Sequence, residues 1–236
     1  MGKLSDVLRR ASRKSCSVVV LGAGDAQRMG SDNMLLDLDG VPVLIRSLLV
    51  FQESEWVDEI LVVTKEEKLE TVSQLCRRYE VGKVSAVIRG GKTRTESALA
   101  GVLAVSRDAG LICIHDGARP LVSREIVEET IRAGQLHRSA APAVGVSDTI
   151  RVLSGDTLQT PDREKVYAMQ TPQVFESALI KAALTKARDS GQTYTDDCGA
   201  VEAIGVVPHL TKGSEENLKI TTPADMVLAE YYLRHR

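Results

Sequence analysis

Short runs of aliphatic and β-branched residues recur along this chain, and most are followed by a stretch whose apolar residues fall at helical spacing. Strand and helix alternating in this way build βα units, and βα units build a mostly parallel sheet. The runs Ser17 to Leu21, Glu59 to Val63, Val84 to Ile88, Leu111 to Ile114, Ala140 to Val144 and Val206 to Leu210 read as strands. They lack strict polar alternation, the pattern of strands covered on both faces. Pro42 opens a helical segment carrying Ile45, Leu48, Leu49 and Phe51, with proline in its favoured first turn. Further helices are predicted over Glu66 to Tyr79, Thr95 to Val105, Arg124 to His137 and Ser177 to Asp189. The last helix starts at Thr222-Pro223-Ala224-Asp225, which offers a cap, a proline at N1 and an acid at N3. The expected fold is α/β, a single domain over residues 1–236 with helices on both faces of a mostly parallel central sheet.

Two stretches stand outside this alternation. From Ser147 to Thr160, two short β-prone arms flank Ser154-Gly155-Asp156, which is a hairpin signal. A hairpin at about 147–162 projects from such a domain, either as decoration or as an arm that embraces a second subunit. Residues 1–15 carry Arg9, Arg10, Arg13 and Lys14 without the apolar run of a secretory signal, and read as a short amphipathic extension.

Charge narrows the partners. The chain holds 30 Lys and Arg against 32 Asp and Glu, interspersed almost throughout. A protein that grips a nucleic acid needs a basic excess or patch, because affinity for a phosphate backbone comes from counterion release. No apolar run reaches the ~20 residues of a membrane-spanning helix. Neither nucleic acid nor membrane is therefore an expected partner. Cys16, Cys76, Cys113 and Cys198 are far apart, with no C-x-x-C pair and no histidine at metal-ligand spacing. A reduced, cytoplasmic chain is expected, with Cys113 as a small buried hydrophobe.

The residues with chemistry to offer cluster where strands end. The first strand runs into Gly22-Ala23-Gly24-Asp25-Ala26-Gln27-Arg28-Met29-Gly30. Small residues there let backbone N–H groups approach a phosphate, and ligands of open α/β sheets bind beyond the carboxyl ends of the strands. The dinucleotide fingerprint fails at Gln27, and a P-loop ending at Gly91-Lys92-Thr93 fails because Ala86 replaces its first glycine. Arg28 has the planar fork that clamps phosphates. Gly90-Gly91-Lys92-Thr93-Arg94-Thr95-Glu96-Ser97 follows the third strand, so its glycines, Arg94 and Ser97 face the same crevice. His115-Asp116-Gly117-Ala118-Arg119-Pro120 follows the fourth. Asp116 suits a hard cation such as Mg2+ or a ribose hydroxyl, or else simply caps a turn. Lys219 lies just before the last helix.

In sequence order, G-A-G-x-x-x-R-M-G, G-G-x-x-R-x-x-S, H-D-G-A-R-P, D-T-I, D-R, Q-T-P-Q, T-D-D and N-L-K-I-T-x-P resemble the 2-C-methyl-D-erythritol 4-phosphate cytidylyltransferases of the non-mevalonate isoprenoid pathway, over about residues 16 to 233. The resemblance implies a Rossmann-like nucleotidyltransferase domain whose β-arm makes a homodimer. It implies in-line attack by the methylerythritol phosphate on the α-phosphorus of CTP, with Mg2+ or another divalent cation present. Gly22, Ala23, Gly24, Gly91, Arg94, Ser97, Asp116 and Gly117 would then bind the nucleotide, Arg28 and Lys219 would meet its phosphates, and Asp116 would lie by the metal. Thr149, Arg163, Thr171 and Thr195 would contact the acceptor, with Arg163 reaching the partner subunit's site.

One position departs from the family. Its glycine loop is followed by an essential lysine, and Met34 stands at that place here, with no lysine between Lys14 and Lys65. Methionine matches the stem of a lysine without its charge and cannot stabilise a pentacoordinate phosphorus. Reduced turnover is expected, with recovery in Met34→Lys, unless Met34 is a core residue of the loop. Two other readings share some of these motifs: a cytidylyltransferase for a pentitol phosphate such as ribitol 5-phosphate, and a catalytically weakened nucleotide-binding relative.

Overall fold

The computed structural model describes residues 13–23 and 33–235. In chain order, its first half comprises β1 (Cys16–Leu21), the small hairpin β2 (Asp37–Leu38) and β3 (Val41–Pro42), α1 (Val43–Glu53), β4 (Glu59–Thr64), α2 (Leu69–Arg78), β5 (Val84–Arg89), α3 (Arg94–Ala104) and β6 (Leu111–Asp116). The second half comprises α4 (Arg124–His137), β7 (Ser139–Gly145), β8 (Val152–Ser154), β9 (Thr157–Gln159), β10 (Tyr167–Met169), β11 (Gln173–Glu176), α5 (Ser177–Asp189), α6 (Asp197–Glu202), β12 (His209–Lys212) and α7 (Pro223–Arg234).

The central sheet runs β10-β7-β11-β6-β1-β4-β5, with β12 pairing β7. β1 lies parallel to β4 and β6, β5 is parallel to β4, and β12 is parallel to β7. The sheet is therefore mostly parallel, as predicted. β10 and β11 run against it.

The two-residue period of a strand divides the core. From β1, Val18 and Val20 pack with Ile45, Leu48 and Phe51 of α1 and with Val127 and Ile131 of α4. Val19 and Leu21 point the other way, toward Ala98, Leu99 and Val102 of α3 and Leu179, Ile180 and Ala183 of α5. A third cluster of Leu38, Val43, Leu121, Ile220 and Ala229 fastens α7 to the β2–β3 hairpin. At Gly101 in α3 an added Cβ would lie 2.3 Å from Val19 Cγ1, so a glycine is what lets this helix rest directly on β1.

Several boundaries differ from those predicted. β6 runs two residues further, carrying His115 and Asp116 in extended backbone. The strand predicted at Val206 to Leu210 begins only at His209, because Gly205 turns the chain with a φ of 86° and Pro208 has no N–H to donate. The predicted hairpin is present as β8 and β9, with Gly155 at a φ of 59° and Leu153 opposite Leu158. Both leucines are open to solvent, at 69% and 65% exposure. All four cysteines are free and buried. Among the described residues no helix is long and apolar enough to cross a membrane.

Candidate active site

The parallel strands end side by side, and their exits are stitched into one rim. Leu21 pairs with Asp116 across β1 and β6. The Gly22 N–H donates to Val63 O at 2.7 Å, the Gly90 N–H to Thr64 O at 2.8 Å and the Gly117 N–H to Leu21 O at 2.9 Å. Loops that follow strands from the middle of an open sheet thus face a common crevice, where α/β folds take their ligands.

Asp116 is the centre of that rim. Lys219 Nζ stands 3.0 Å from its Oδ2, Arg119 Nε 3.5 Å from the same oxygen, and Arg94 3.6 Å from Oδ1. The same Arg94 nitrogen, Nη2, donates to Asp197 Oδ2 at 2.7 Å. Burial by itself would raise the Asp116 carboxyl, but Lys219, Arg94 and Arg119 outweigh it and hold the group well below the usual carboxylate range. Lys219, Arg94 and Arg119 thus gather around Asp116 and Asp197 in a half-closed site, with Asp196 also acting on Arg94.

Local sequence explains how each cation is aimed. Arg94 is the first residue of α3, whose cap is Thr93, accepting the N–H of Glu96. One turn on, the Ser97 hydroxyl accepts the Gly91 N–H at 3.1 Å and donates to Thr93 O at 2.9 Å, which orders the glycine turn. Lys219 lies on a segment tied at several points. The Ile220 N–H donates to Ala118 O, Asn33 Nδ2 donates to Ile220 O at 2.8 Å, and Arg119 donates to Asn217 O at 2.7 Å. Asn217, fully buried, donates to Gln170 Oε1 and to Thr171 O. Beside Asp116, the His115 ring touches Thr171 Oγ1 and Arg119 O. Burial pushes this imidazole down to about 4, against the pull of Asp116, so the ring is neutral near pH 7.

A family model for 2-C-methyl-D-erythritol 4-phosphate cytidylyltransferase matches residues 16–235. The chain belongs to that family. The cytidylyltransferase of Caldanaerobacter subterraneus subsp. tengcongensis is 42% identical over 223 residues, covering 92% of this chain and 98% of its own. That of Halalkalibacterium halodurans is 38% identical, covering 93% and 97%. Among solved structures, 4-diphosphocytidyl-2C-methyl-D-erythritol synthase from Anaerococcus prevotii superposes with a TM-score of 0.84 at 29% identity, over 94% of this chain and 96% of its own. The Thermus thermophilus cytidylyltransferase gives 0.75 at 30% identity, over 93% and 99%.

Of the residues singled out by the resemblance to this family, Gly24 and Arg28 lie outside the described residues. Gly22 and Ala23 stand at the exit of β1, and Gly91, Arg94, Ser97, Asp116 and Lys219 come together at the rim. Gly117 has a packing reason to be glycine, since an added Cβ would lie 2.9 Å from Leu44 Cδ1 and 3.1 Å from Leu21 O. Thr149 and Arg163 stay on the exposed arm, where Arg163 donates to Ser147 O. Thr195 is exposed just before Asp196, the cap of α6. Thr171 is buried against His115 and Asp116.

Met34 lies in the core, the alternative that the sequence left open beside the lysine position. Its side chain is 7% exposed and belongs to the core that holds Val18, Val20 and Leu44, with its sulfur 3.3 Å from where a Gly117 Cβ would sit. It points into the domain, where a lysine ammonium would meet aliphatic carbon. Three partners were missing from the predicted set. Arg119 was within the H-D-G-A-R-P motif, three residues past Asp116, and Asp197 within T-D-D; both sit in the ion-pair cluster. His115 was visible only as the residue before the carboxylate.

Among the described residues no group of three or more His, Cys, Asp or Glu side chains could hold a metal ion. Among the described residues of the rim, Asp197 is taken up by Arg94 at 2.7 Å, and Asp116 is the carboxylate that a cation would meet. Mg2+ commonly takes one or two carboxylates, substrate phosphates and water. The donor set therefore fits an ion that arrives with a triphosphate, and not one caged by the protein alone.

Proposed function

We infer that the protein transfers the cytidylyl group of CTP to the phosphate of 2-C-methyl-D-erythritol 4-phosphate. An acceptor phosphate oxygen bonds to the α-phosphorus, the bond between that phosphorus and the bridging oxygen breaks, and its electron pair leaves with pyrophosphate. The observation that carries this reading is the convergence of Lys219, Arg94 and Arg119 on Asp116 at the strand-end rim. Phosphoryl and nucleotidyl transfer ask a protein mainly for alignment and for positive charge around the reacting phosphorus. Lys219 supplies charge to the α-phosphate, and Arg94 to the nucleotide. Gly22, Ala23 and Gly24 line the nucleotide, Arg28 grips its phosphates, and the Gly91 turn braced by Ser97 takes cytosine and ribose. Asp116 would hold Mg2+, and the ion would supply charge neutralisation to the triphosphate.

The acceptor phosphate falls to Thr149, Arg163, Thr171 and Thr195. Two of these are on the arm, whose exposed Leu153 and Leu158 suit an apolar contact with a second copy of the chain. A homodimer formed through the arm brings Arg163 to the partner subunit's site. Four buried free thiols suit the reducing cytoplasm. Sedimentation tests the assembly: Leu153→Ser with Leu158→Ser is expected to give monomer, and an unchanged dimer removes the arm from the interface.

Pyrophosphate release with CTP, Mg2+ and methylerythritol phosphate tests the activity, with ribitol 5-phosphate in a parallel arm. Turnover is expected with the first acceptor only. Faster turnover with ribitol 5-phosphate would replace the acceptor. CTP binding without turnover on either would mark a silent nucleotide-binding protein.

A further inference from the structure

We propose that Gln173 is a positioning residue for the acceptor: its side-chain amide ties the segment of Thr171 to the turn of Thr195, and so fixes the spacing of two threonines given to the acceptor's phosphate. The inference rests on cytidylyl transfer as the activity. Gln173 opens β11 and is 1% exposed. Its Oε1 accepts the N–H groups of Asp197 and Cys198, each at 3.0 Å. Its Nε2 donates to Asp196 Oδ2 at 2.9 Å and to Gln170 O at 3.3 Å. An amide oxygen has two lone pairs and an amide nitrogen two hydrogens, so all four places are taken. The group cannot be turned round, because backbone N–H groups need an acceptor and a carboxylate needs a donor. Gln173 therefore keeps nothing back for a ligand and acts on one through its neighbours.

What it holds is the start of α6, just after Thr195. The first N–H groups of a helix have no partner within it. Asp196 caps that of Gly199 with its Oδ1 at 2.9 Å, and Gln173 satisfies the two before it while holding the cap by its other oxygen. On the far side of Thr195, the Tyr194 N–H donates to Thr95 Oγ1 at 3.1 Å. The turn that carries the exposed Thr195 is thus fastened to α3 through Tyr194 and to β11 through Gln173. Thr171 stands two residues before Gln173, so one side chain spans the interval between the two threonines. Gln170 plays the matching part toward Lys219. Its Oε1 accepts from the Ser214 N–H and from Asn217 Nδ2, and its Nε2 donates to Ser214 O at 2.7 Å. The glutamines on either side of Thr171-Pro172 therefore hold different parts of the site. Leucine would fill either place without burying a polar atom, whereas an amide with its bonds satisfied specifies a position.

The test is the steady-state kinetics of Gln173→Leu and Gln170→Leu in the full chain, with CTP, Mg2+ and methylerythritol phosphate. Gln173→Leu is expected to raise the acceptor KM about tenfold, with the CTP KM within about threefold because Arg94 keeps Asp116 and its place at the start of α3. Gln170→Leu is expected to lower kcat about tenfold through Lys219, with the acceptor KM within about threefold. General loosening of the fold would move both variants alike. An acceptor KM raised less than about threefold in Gln173→Leu, or raised equally in both variants, overturns the proposal. Amide hydrogen exchange in the unaltered protein needs neither variant nor activity. The Asp197 and Cys198 N–H groups are expected to exchange at least about 100-fold more slowly than unprotected amides although they open a helix, and unprotected rates overturn the tie. If the unaltered chain fails to transfer to methylerythritol phosphate, the activity falls, and the exchange rates still decide the tie.

Discussion

Two carboxylates stand at opposite ends of the central sheet and are held in opposite ways. At the amino ends of the strands, Glu59 accepts hydroxyl hydrogens from Ser17 at 2.7 Å and Ser85 at 2.8 Å, and the N–H of Ser106 at 2.9 Å. At the carboxyl ends, Asp116 faces ammonium and guanidinium groups at 3.0, 3.5 and 3.6 Å. Burial opposes both charges, and both groups nevertheless lie below their ordinary range, one through neutral donors and the other through cations. Short bonds from hydroxyls and backbone lock a carboxylate into the fold. Cations on long side chains also hold one, yet they can swing to a phosphate while every strand stays paired. The contrast separates a residue that stabilises from one that keeps charge ready for a ligand.

Substitutions can break or sharpen this contrast. Lys219→Ala should reduce kcat/KM by about 10² to 10³, the loss typical of a group that meets developing charge, with little change in melting temperature. A fall in Tm with near-normal kinetics would put Lys219 in the same class as Glu59. Met34→Lys should cost roughly 2 to 3 kcal/mol of stability in denaturant melts, because it buries an unpaired ammonium, and should bring no gain in rate. A faster and equally stable enzyme would return position 34 to the site. Asp116→Asn should slow transfer about tenfold and leave the fold intact, since the cations lose their rallying charge and not their backbone. Unfolding of this variant would show the cluster to be structural.

Glu59→Gln should have the smallest effect, about 1 kcal/mol of stability at pH 7 after solvent screening, with activity within about twofold. Its pH dependence has a definite sign. Because the folded protein holds Glu59 below its ordinary carboxylate value, the stabilisation is whole above that value and fades as pH falls toward the folded one. Melts of the two proteins should therefore converge on acidification. A gap that widens in acid would mean that Glu59 is not held as the anion.

The sequence showed those parts whose cause is local. Val18 to Leu21 could be read as a strand because four consecutive apolar residues need cover on both faces, and the cap at Thr222 lies where the last helix starts. Asp116 was legible because it follows an apolar strand into a turn. The ion pair of Arg94 with Asp197 was not, since 103 residues separate the partners and neither end announces the other. β10 and β11 escaped notice because three and four residues are too few for a period, and Tyr167 and Ala168 are exposed. The direction in which Met34 points was not legible for a related reason: a loop residue has no periodicity to tell which way it faces, and the packing against Gly117 and Leu44 decides it.

Gly101 acts as a gauge for the site although it touches nothing there. It lies seven residues, about two turns, beyond Arg94 and on nearly the same face of α3. An α-helix is stiff over that span, so the clearance at one end sets the height of the other. By letting the helix settle onto Val19, the missing methyl fixes how far Arg94 stands from Asp116, and a spacing needed for chemistry is calibrated deep in the hydrocarbon layer.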